Sequence, residues 1–133
     1  MRKIDSTRLI AAAMKAREKA VAPYSKFKVG AALLTTSGKT VSGANVESAS
    51  YGLTCCAERI ALFKALTDGE KSFAAIAVVA RQSGGAMPCG ACRQLLAEYA
   101  FDARIFVADS ARPKIIKEFS MSELLPGAFV SFG

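Results

Sequence analysis

Two short cysteine motifs carry the residue types in this chain that could do chemistry. The first is Cys56-Ala57-Glu58, and the second is Pro88-Cys89-Gly90-Ala91-Cys92. Cysteine thiolates are common zinc ligands, and a site with three protein ligands keeps a fourth position open for water. A carboxylate two residues after a zinc-type cysteine can carry protons, as metal-assisted deamination requires. We therefore predict a zinc hydrolase site, with Cys56, Cys89 and Cys92 as ligands and Glu58 as proton carrier.

Both motifs are predicted to lie at helix N-termini. Free backbone N–H groups and the positive end of the helix dipole favour thiolate over thiol, and the thiolate is the form that binds zinc. Cys89 and Cys92 are three residues apart, so their sulfurs share one side of the first helical turn. Glu58 is expected to lie beside the metal rather than to bind it.

The chain contains no histidine, so a three-ligand site must be all cysteine. Three thiolates would leave the zinc site with a net negative charge, and a neighbouring arginine could draw off part of it through hydrogen bonds to sulfur. We assign this role to Arg59, next to Glu58. Arg93 is equally consistent with the same role and with an ordinary surface charge. Cys55 is interpreted as a small buried residue, because only Cys56 stands two residues before the glutamate.

The surrounding sequence predicts an α/β fold with three layers, in which a mixed sheet of about five strands lies between helices. The continuous apolar run 73–80 is typical of a central strand covered on both faces. Asp5 or Ser6 is the predicted N-cap of the first helix, Pro23 its stop, and Thr54 the N-cap of the second helix. The predicted helices are 6–22, 55–67, 89–100 and 121–125, and the predicted strands are 29–36, 40–46, 73–80, 104–108 and 114–119.

Length and composition bound the organisation of the chain. Its 133 residues, of which 52% are hydrophobic, predict a single domain, 1–133. The cysteine spacing favours metal-bound thiolates in a reducing compartment over disulfides, so a cytoplasmic protein is expected. The apolar run 9–14 is too short for a signal peptide or a membrane span, and no membrane association is predicted.

The formal net charge of +7 arises in the first 45 residues, where nine Lys and Arg face only Asp5 and Glu18. A basic surface can bind nucleic acid, but these charges are scattered and only Tyr24 and Phe27 lie among them. A solvated face is therefore preferred over a nucleic-acid groove.

An ordered set of stretches over nearly the whole chain resembles one family, the small, homotetrameric, zinc-dependent cytidine deaminases. The motifs of this resemblance are Ala22-Pro23-Tyr24-Ser25-Lys26-Phe27, Val29-Gly30-Ala31-Ala32-Leu33, Gly43-Ala44-Asn45-Val46-Glu47, Cys56-Ala57-Glu58-Arg59, Pro88-Cys89-Gly90-Ala91-Cys92-Arg93-Gln94 and Leu124-Leu125-Pro126-Gly127-Ala128-Phe129.

The resemblance implies one zinc ion per chain and hydrolysis of cytidine or deoxycytidine to uridine or deoxyuridine with release of ammonia, in pyrimidine salvage. It implies that Asn45 and Glu47 bind the ribose hydroxyl and that Phe27 forms a wall beside the nucleoside, with Ala57 among the substrate contacts. Tyr51 and Phe129 are implied to reach the site of a neighbouring subunit.

The family commonly has Asn-x-Glu-Asn-Ala where this chain has Asn45-Val46-Glu47-Ser48-Ala49, so substrate preference is less determined than reaction type. Three alternatives stay open. They are deamination of a related aminopyrimidine nucleoside or antibiotic, deamination of cytosine or adenine in single-stranded nucleic acid, and a non-enzymatic zinc module, which would want a fourth protein ligand.

Overall fold

The computed structural model describes residues 4–128 of the chain. Its helices are α1 (Ser6–Arg17), α2 (Ala57–Thr67), α3 (Gly90–Tyr99) and α4 (Met121–Leu124), and a short 3₁₀ turn spans Tyr51–Leu53. Its strands are β1 (Val29–Thr35), β2 (Thr40–Ala44), β3 (Phe73–Ala80), β4 (Arg104–Asp109) and β5 (Arg112–Phe119).

The five strands form one mixed sheet in the order β2-β1-β3-β4-β5. Strands β3 and β4 are parallel, and the other neighbours are antiparallel. Strand β3 is central, as its apolar sequence predicts, and seven of its eight residues are buried. Because β3 and β4 are parallel, α3 connects them across one face of the sheet.

Helices cover both faces of the sheet, so the predicted three-layer α/β fold is confirmed. On one face α1 packs against a cluster that contains Ala32, Ala77 and Val79. On the other face α2 and α3 bury Ala61 and Leu96 against Ile76 and Val78. Within residues 4–128, no helix has the length and apolar character needed to cross a membrane.

The first helix is shorter than predicted, because α1 ends at Arg17 and not at residue 22. Asp5 is its N-cap and accepts a hydrogen bond from the backbone N–H of Arg8. After the helix, Val21 donates its N–H to Asn45 O (2.9 Å) and accepts from the N–H of Glu47 (2.8 Å). This pairing requires an extended backbone at Val21, two residues before Pro23. The pairing, and not Pro23, therefore ends the helix early.

The second helix begins at Ala57, and the predicted start at 55 with Thr54 as N-cap is wrong. Cys55 exchanges two backbone hydrogen bonds with Val46, of 2.9 and 3.0 Å, and is therefore extended. The Thr54 hydroxyl instead accepts from the N–H of Ser48. Cys56 becomes the N-cap, and within residues 4–128 its side chain makes no capping hydrogen bond.

Gly43 allows α2 to approach β2 closely. A Cβ at this position would lie 2.6 Å from the Ala61 nitrogen and 2.7 Å from the Ala57 oxygen, both backbone atoms that cannot rotate away. We expect Gly43→Ala to lower the free energy of unfolding by about 1–3 kcal/mol, as overpacking does. Urea denaturation measures this loss.

Gly52→Ala is the matched control, since among the described residues no atom lies within 4 Å of its added Cβ. Equal stability of the Gly43→Ala and Gly52→Ala chains would contradict the close packing of α2 on β2.

Candidate metal centre

Three cysteine side chains from two helix N-termini converge in the structure. The Sγ atoms of Cys56, Cys89 and Cys92 all lie within 4.8 Å of one another. Cys56 Sγ is 3.7 Å from Cys89 Sγ, which is 3.4 Å from Cys92 Sγ. In a tetrahedral site with zinc–sulfur bonds of about 2.3 Å, ligand sulfurs are about 3.8 Å apart. The three sulfurs therefore fit zinc in number, chemistry and spacing.

Cys56 and Cys89 occupy the same place in their helices. Each is an N-cap residue with an extended backbone, so its side chain extends beyond the first turn of α2 or α3. Cys92 lies on that first turn of α3 and is 1% exposed. Two helix dipoles thus have their positive ends at one cluster of sulfurs, which stabilises thiolates there.

Arg59 contacts the cluster directly. Its Nη2 lies 3.3 Å from Cys56 Sγ and 3.4 Å from the carbonyl oxygen of Thr54, to both of which it donates. The hydrogen bond from the Cys92 thiol, joined by those from Arg59 and Cys89, lowers the pKa of Cys56 to about 5. The same contact with Cys56 raises the pKa of Cys92. Ionisation of all three thiols together is favoured by a cation among them.

Glu58 is a buried carboxyl group beside these sulfurs. Only 5% of the residue is exposed. Burial raises the pKa of Glu58 to about 7, while a hydrogen bond from its own backbone N–H acts in the opposite direction. A carboxyl group with a pKa near neutrality can both accept and return a proton, which suits a general acid–base.

Cys55 and Arg93 differ in part from their predictions. The sulfur of Cys55 lies outside the three-cysteine cluster, as predicted, but the residue is half-buried rather than buried. Arg93 donates to the carbonyl oxygens of Pro88 (2.8 Å) and Leu124 (3.0 Å). Because its bonds within residues 4–128 go to backbone oxygens, Arg93 is there neither a sulfur donor nor a free surface charge. It joins the second cysteine motif to the end of α4.

The predicted substrate residues Asn45 and Glu47 hydrogen-bond the segment 24–29. Asn45 Nδ2 donates to Phe27 O and its Oδ1 accepts from Val29 N, both at 2.9 Å. Glu47 accepts from the backbone N–H groups of Tyr24 and Ser25 and from the Ser25 hydroxyl. These bonds, the hydroxyl bond above all, lower the pKa of Glu47.

A cavity of about 330 Å³ lies next to the Glu47 carboxylate. It is lined by Tyr24, Ser25, Glu47, Ser48 and Thr54. Val46 and Cys55 pair antiparallel, so Glu47 lies opposite Thr54 and Asn45 lies opposite Cys56. The pairing therefore joins the cavity wall to the segment that carries Cys56.

The other predicted substrate residues are placed as follows. Phe27 is 37% exposed, and Ala57 is fully buried as the first residue of α2. The side chain of Tyr51 and the whole of Phe129 lie outside the described residues. Ser25, which contacts both Glu47 and Phe27, was not predicted as a site residue. Its signal in the sequence is a hydroxyl two residues before Phe27, the spacing of a local hydrogen bond from backbone to side chain.

A family model described as the "Cytidine and deoxycytidylate deaminase zinc-binding region" matches residues 3–108. The chain belongs to this family. The cytidine deaminase of Halalkalibacterium halodurans is 50% identical over 129 residues, which cover 96% of each chain.

Similarity within the cytidine and deoxycytidylate deaminase family extends to solved structures. The crystal structure of cytidine deaminase from Burkholderia pseudomallei superposes with a TM-score of 0.89 at 50% identity, covering 95% of this chain and 100% of that one. A Blasticidin-S deaminase of Bacillus cereus is 35% identical over 109 residues, 76% of each chain. The zinc cofactor predicted from the cysteines is thus supported by the family as well as by the three sulfurs.

Proposed function

We propose that this chain hydrolyses cytidine and deoxycytidine to uridine and deoxyuridine, with release of ammonia. The observation that carries the proposal is the buried Glu58 carboxyl beside three sulfurs spaced for zinc. A structural zinc site would use four protein ligands, and within residues 4–128 the cluster offers three. The open position and the adjacent acid are what hydrolysis needs.

Zinc bound by Cys56, Cys89 and Cys92 would supply the Lewis acidity that activates a water molecule. Glu58 accepts one proton of the attacking water as C4 of the pyrimidine gains oxygen, and it delivers that proton to N3. It then takes the remaining proton from the new C4 hydroxyl and passes it to the departing amino group, so that water and the cytosine amidine become a uracil and ammonia. Arg59 withdraws charge from Cys56 throughout, because its guanidinium contacts that sulfur.

We assign recognition of the sugar to the cavity beside Glu47. An ionised carboxylate has about four acceptor positions. Among the described residues, Tyr24 N, Ser25 N and the Ser25 hydroxyl take three of them, so Glu47 keeps one there for a ribose hydroxyl. A free base without the sugar would leave that acceptor unpaired, and such sites reject analogues that lack the hydroxyl.

A second substrate class has a specific observation in its favour. The resemblance to a Blasticidin-S deaminase covers 76% of this chain, and an aminopyrimidine nucleoside antibiotic presents the same amidine carbon. Ser48 lines the cavity and uses its hydroxyl to accept from the N–H of Ser50, so it defines that part of the wall.

The test is a comparison of substrates on the purified zinc-loaded chain. Loss of absorbance and release of ammonia are followed with cytidine, deoxycytidine, free cytosine, blasticidin S and a cytosine-containing single-stranded oligonucleotide. We expect turnover of the two nucleosides and little of the other three. Turnover of blasticidin S alone would establish the alternative, and turnover of none would sink the proposed function.

We also propose a homotetramer with shared active sites, in which Tyr51 and Phe129 reach a neighbouring pocket. The described residues support an interface near Tyr51, since Leu53, two residues along the chain, is 74% exposed. A large apolar side chain exposed to this degree is typical of a surface that a partner covers. We place this single-domain protein in the cytoplasm, because its thiol site suits a reducing compartment. The proposed reaction places it in pyrimidine salvage.

Mixing two inactive variants tests the shared site. Glu58→Gln chains and Phe129→Ala chains should each be strongly impaired alone, and mixed oligomers should regain part of the activity. Some of their pockets combine Glu58 of one chain with Phe129 of another. The measurement is turnover after subunit exchange, with a size-shifted tag on one variant to verify mixing. Verified mixed oligomers without recovery, or an active monomer, would show that each site is built from one chain.

A further inference from the structure

The backbone of Phe27 is fixed by side chains rather than by a strand or helix. Its N–H donates to Ser25 Oγ at 3.0 Å, and its carbonyl oxygen accepts from Asn45 Nδ2 at 2.9 Å. Phe27 precedes β1 by two residues. The position of this aromatic residue therefore depends on two polar side chains.

The Ser25 hydroxyl has a defined direction. An ionised carboxylate only accepts hydrogen bonds, so Ser25 must donate its one proton to Glu47 Oε2. The lone pairs of the same oxygen are then left for the N–H of Phe27. Glu47 is thus linked to the Phe27 backbone through a single hydroxyl group.

The turn that carries these contacts is strained. Lys26, between Ser25 and Phe27, has a φ of 62° in the left-handed region, where a residue with a Cβ is uncommon. Its N–H donates to Ala22 O at 3.1 Å. Such conformations persist where surrounding bonds over-determine them, and they concentrate at ligand sites.

The turn borders the cavity that we assign to the sugar. Ser25 and Thr54 both line this cavity, and the Thr54 carbonyl accepts from the same Arg59 nitrogen that contacts Cys56 Sγ. A shift of the turn would therefore move Phe27 relative to the zinc site.

We propose that Ser25 is a positioning residue for the nucleoside, which transmits the anchoring of Glu47 to Phe27 and thereby sets the aromatic wall of the pocket. This inference rests on the proposed function. Ser25 acts through Phe27, which contacts the nucleoside in the ground state and in the transition state alike. Loss of the Ser25 hydroxyl should therefore change KM rather than kcat.

Ser25→Ala removes the hydroxyl and Ser25→Thr keeps it. We expect KM for cytidine to rise about tenfold in Ser25→Ala, as for the loss of one hydrogen bond to a charged group. The kcat should stay within about twofold of the wild-type value, and Ser25→Thr should bring KM most of the way back to the wild-type value. Folding should persist, because Ser25 is exposed and water can solvate the polar groups that it leaves, although water does not hold Phe27 in place. Ser37→Ala is the matched control, since it removes a turn hydroxyl whose partner within residues 4–128 is Thr35.

A double-variant cycle separates positioning from general damage. If Ser25 acts through Phe27, Ser25→Ala should add little to the KM of Phe27→Ala. In addition, amide hydrogen exchange at Phe27 should accelerate in Ser25→Ala, which removes the acceptor of that N–H.

Additive effects of the two substitutions, a fall in kcat at constant KM, or no rescue by threonine would each overturn the inference while the proposed function stands. An inactive wild-type chain would sink the proposed function instead. In that case, an unchanged rate of amide hydrogen exchange at Phe27 in Ser25→Ala would still refute the link between Ser25 and Phe27. An accelerated rate would support it.

Discussion

Glu58→Gln is expected to reduce turnover by at least ~10² to 10⁴-fold while the zinc content stays at that of the wild type. The amide has nearly the shape of the acid but cannot carry a proton from water to the pyrimidine. Because Glu58 is 95% buried beside Cys92, an isosteric side chain is required to keep the packing, and glutamine meets that need. Steady-state kinetics and metal analysis on the same preparation give both numbers.

Glu98→Gln is the matched control for this substitution. Glu98 is exposed on α3 and accepts from Gln94 through Oε1, a bond that glutamine can keep. Its turnover should equal that of the wild type. Wild-type-like turnover in Glu58→Gln would refute the hydrolytic mechanism, and loss of zinc from that variant would show that Glu58 holds the metal rather than protons.

Alanine at any of the three clustered cysteines should abolish both zinc binding and activity. The purified wild type should contain about one zinc per chain, and Cys56→Ala, Cys89→Ala and Cys92→Ala should each contain close to none. A thiolate ligand contributes a metal bond that two remaining sulfurs cannot replace. Metal analysis after dialysis measures the loss.

Cys55→Ala provides a control one residue from a ligand. Its sulfur lies outside the cluster, so the variant should keep its zinc and most of its activity. Zinc retained in Cys56→Ala and lost in Cys55→Ala would overturn the ligand assignment. If each of the three cluster variants kept its zinc and its activity, the three-thiolate site itself would be refuted.

The sequence predicted those parts of the protein that depend on neighbouring residues. The i and i+3 spacing of Cys89 and Cys92 places two sulfurs on one helical turn wherever the helix lies. The apolar run 73–80 predicted the central strand, because a strand covered on both faces needs apolar residues throughout. The predicted five-stranded mixed sheet and zinc cofactor are also confirmed.

Helix boundaries were less well predicted, because partners elsewhere in the chain compete for the same backbone groups. Val21 pairs with the Asn45 to Glu47 stretch and ends α1 early. Cys55 pairs with Val46 and delays the start of α2 until Ala57. Local propensity extends both helices, and it is overruled by hydrogen bonds to residues more than eight positions away.

Only the tertiary structure decided how side chains from separate elements meet. Cys56 and Cys89 are 33 residues apart, and the packing of α2 and α3 on one face of the sheet brings their sulfurs to 3.7 Å. Arg93 binds two backbone oxygens. Asn45 and Glu47 hold the turn that carries Phe27. The sequence determined which groups can do the chemistry, since that follows from residue type and local spacing. Which partner each group faces depends on the relative placement of helices and strands, and that is set by burial over the whole sheet.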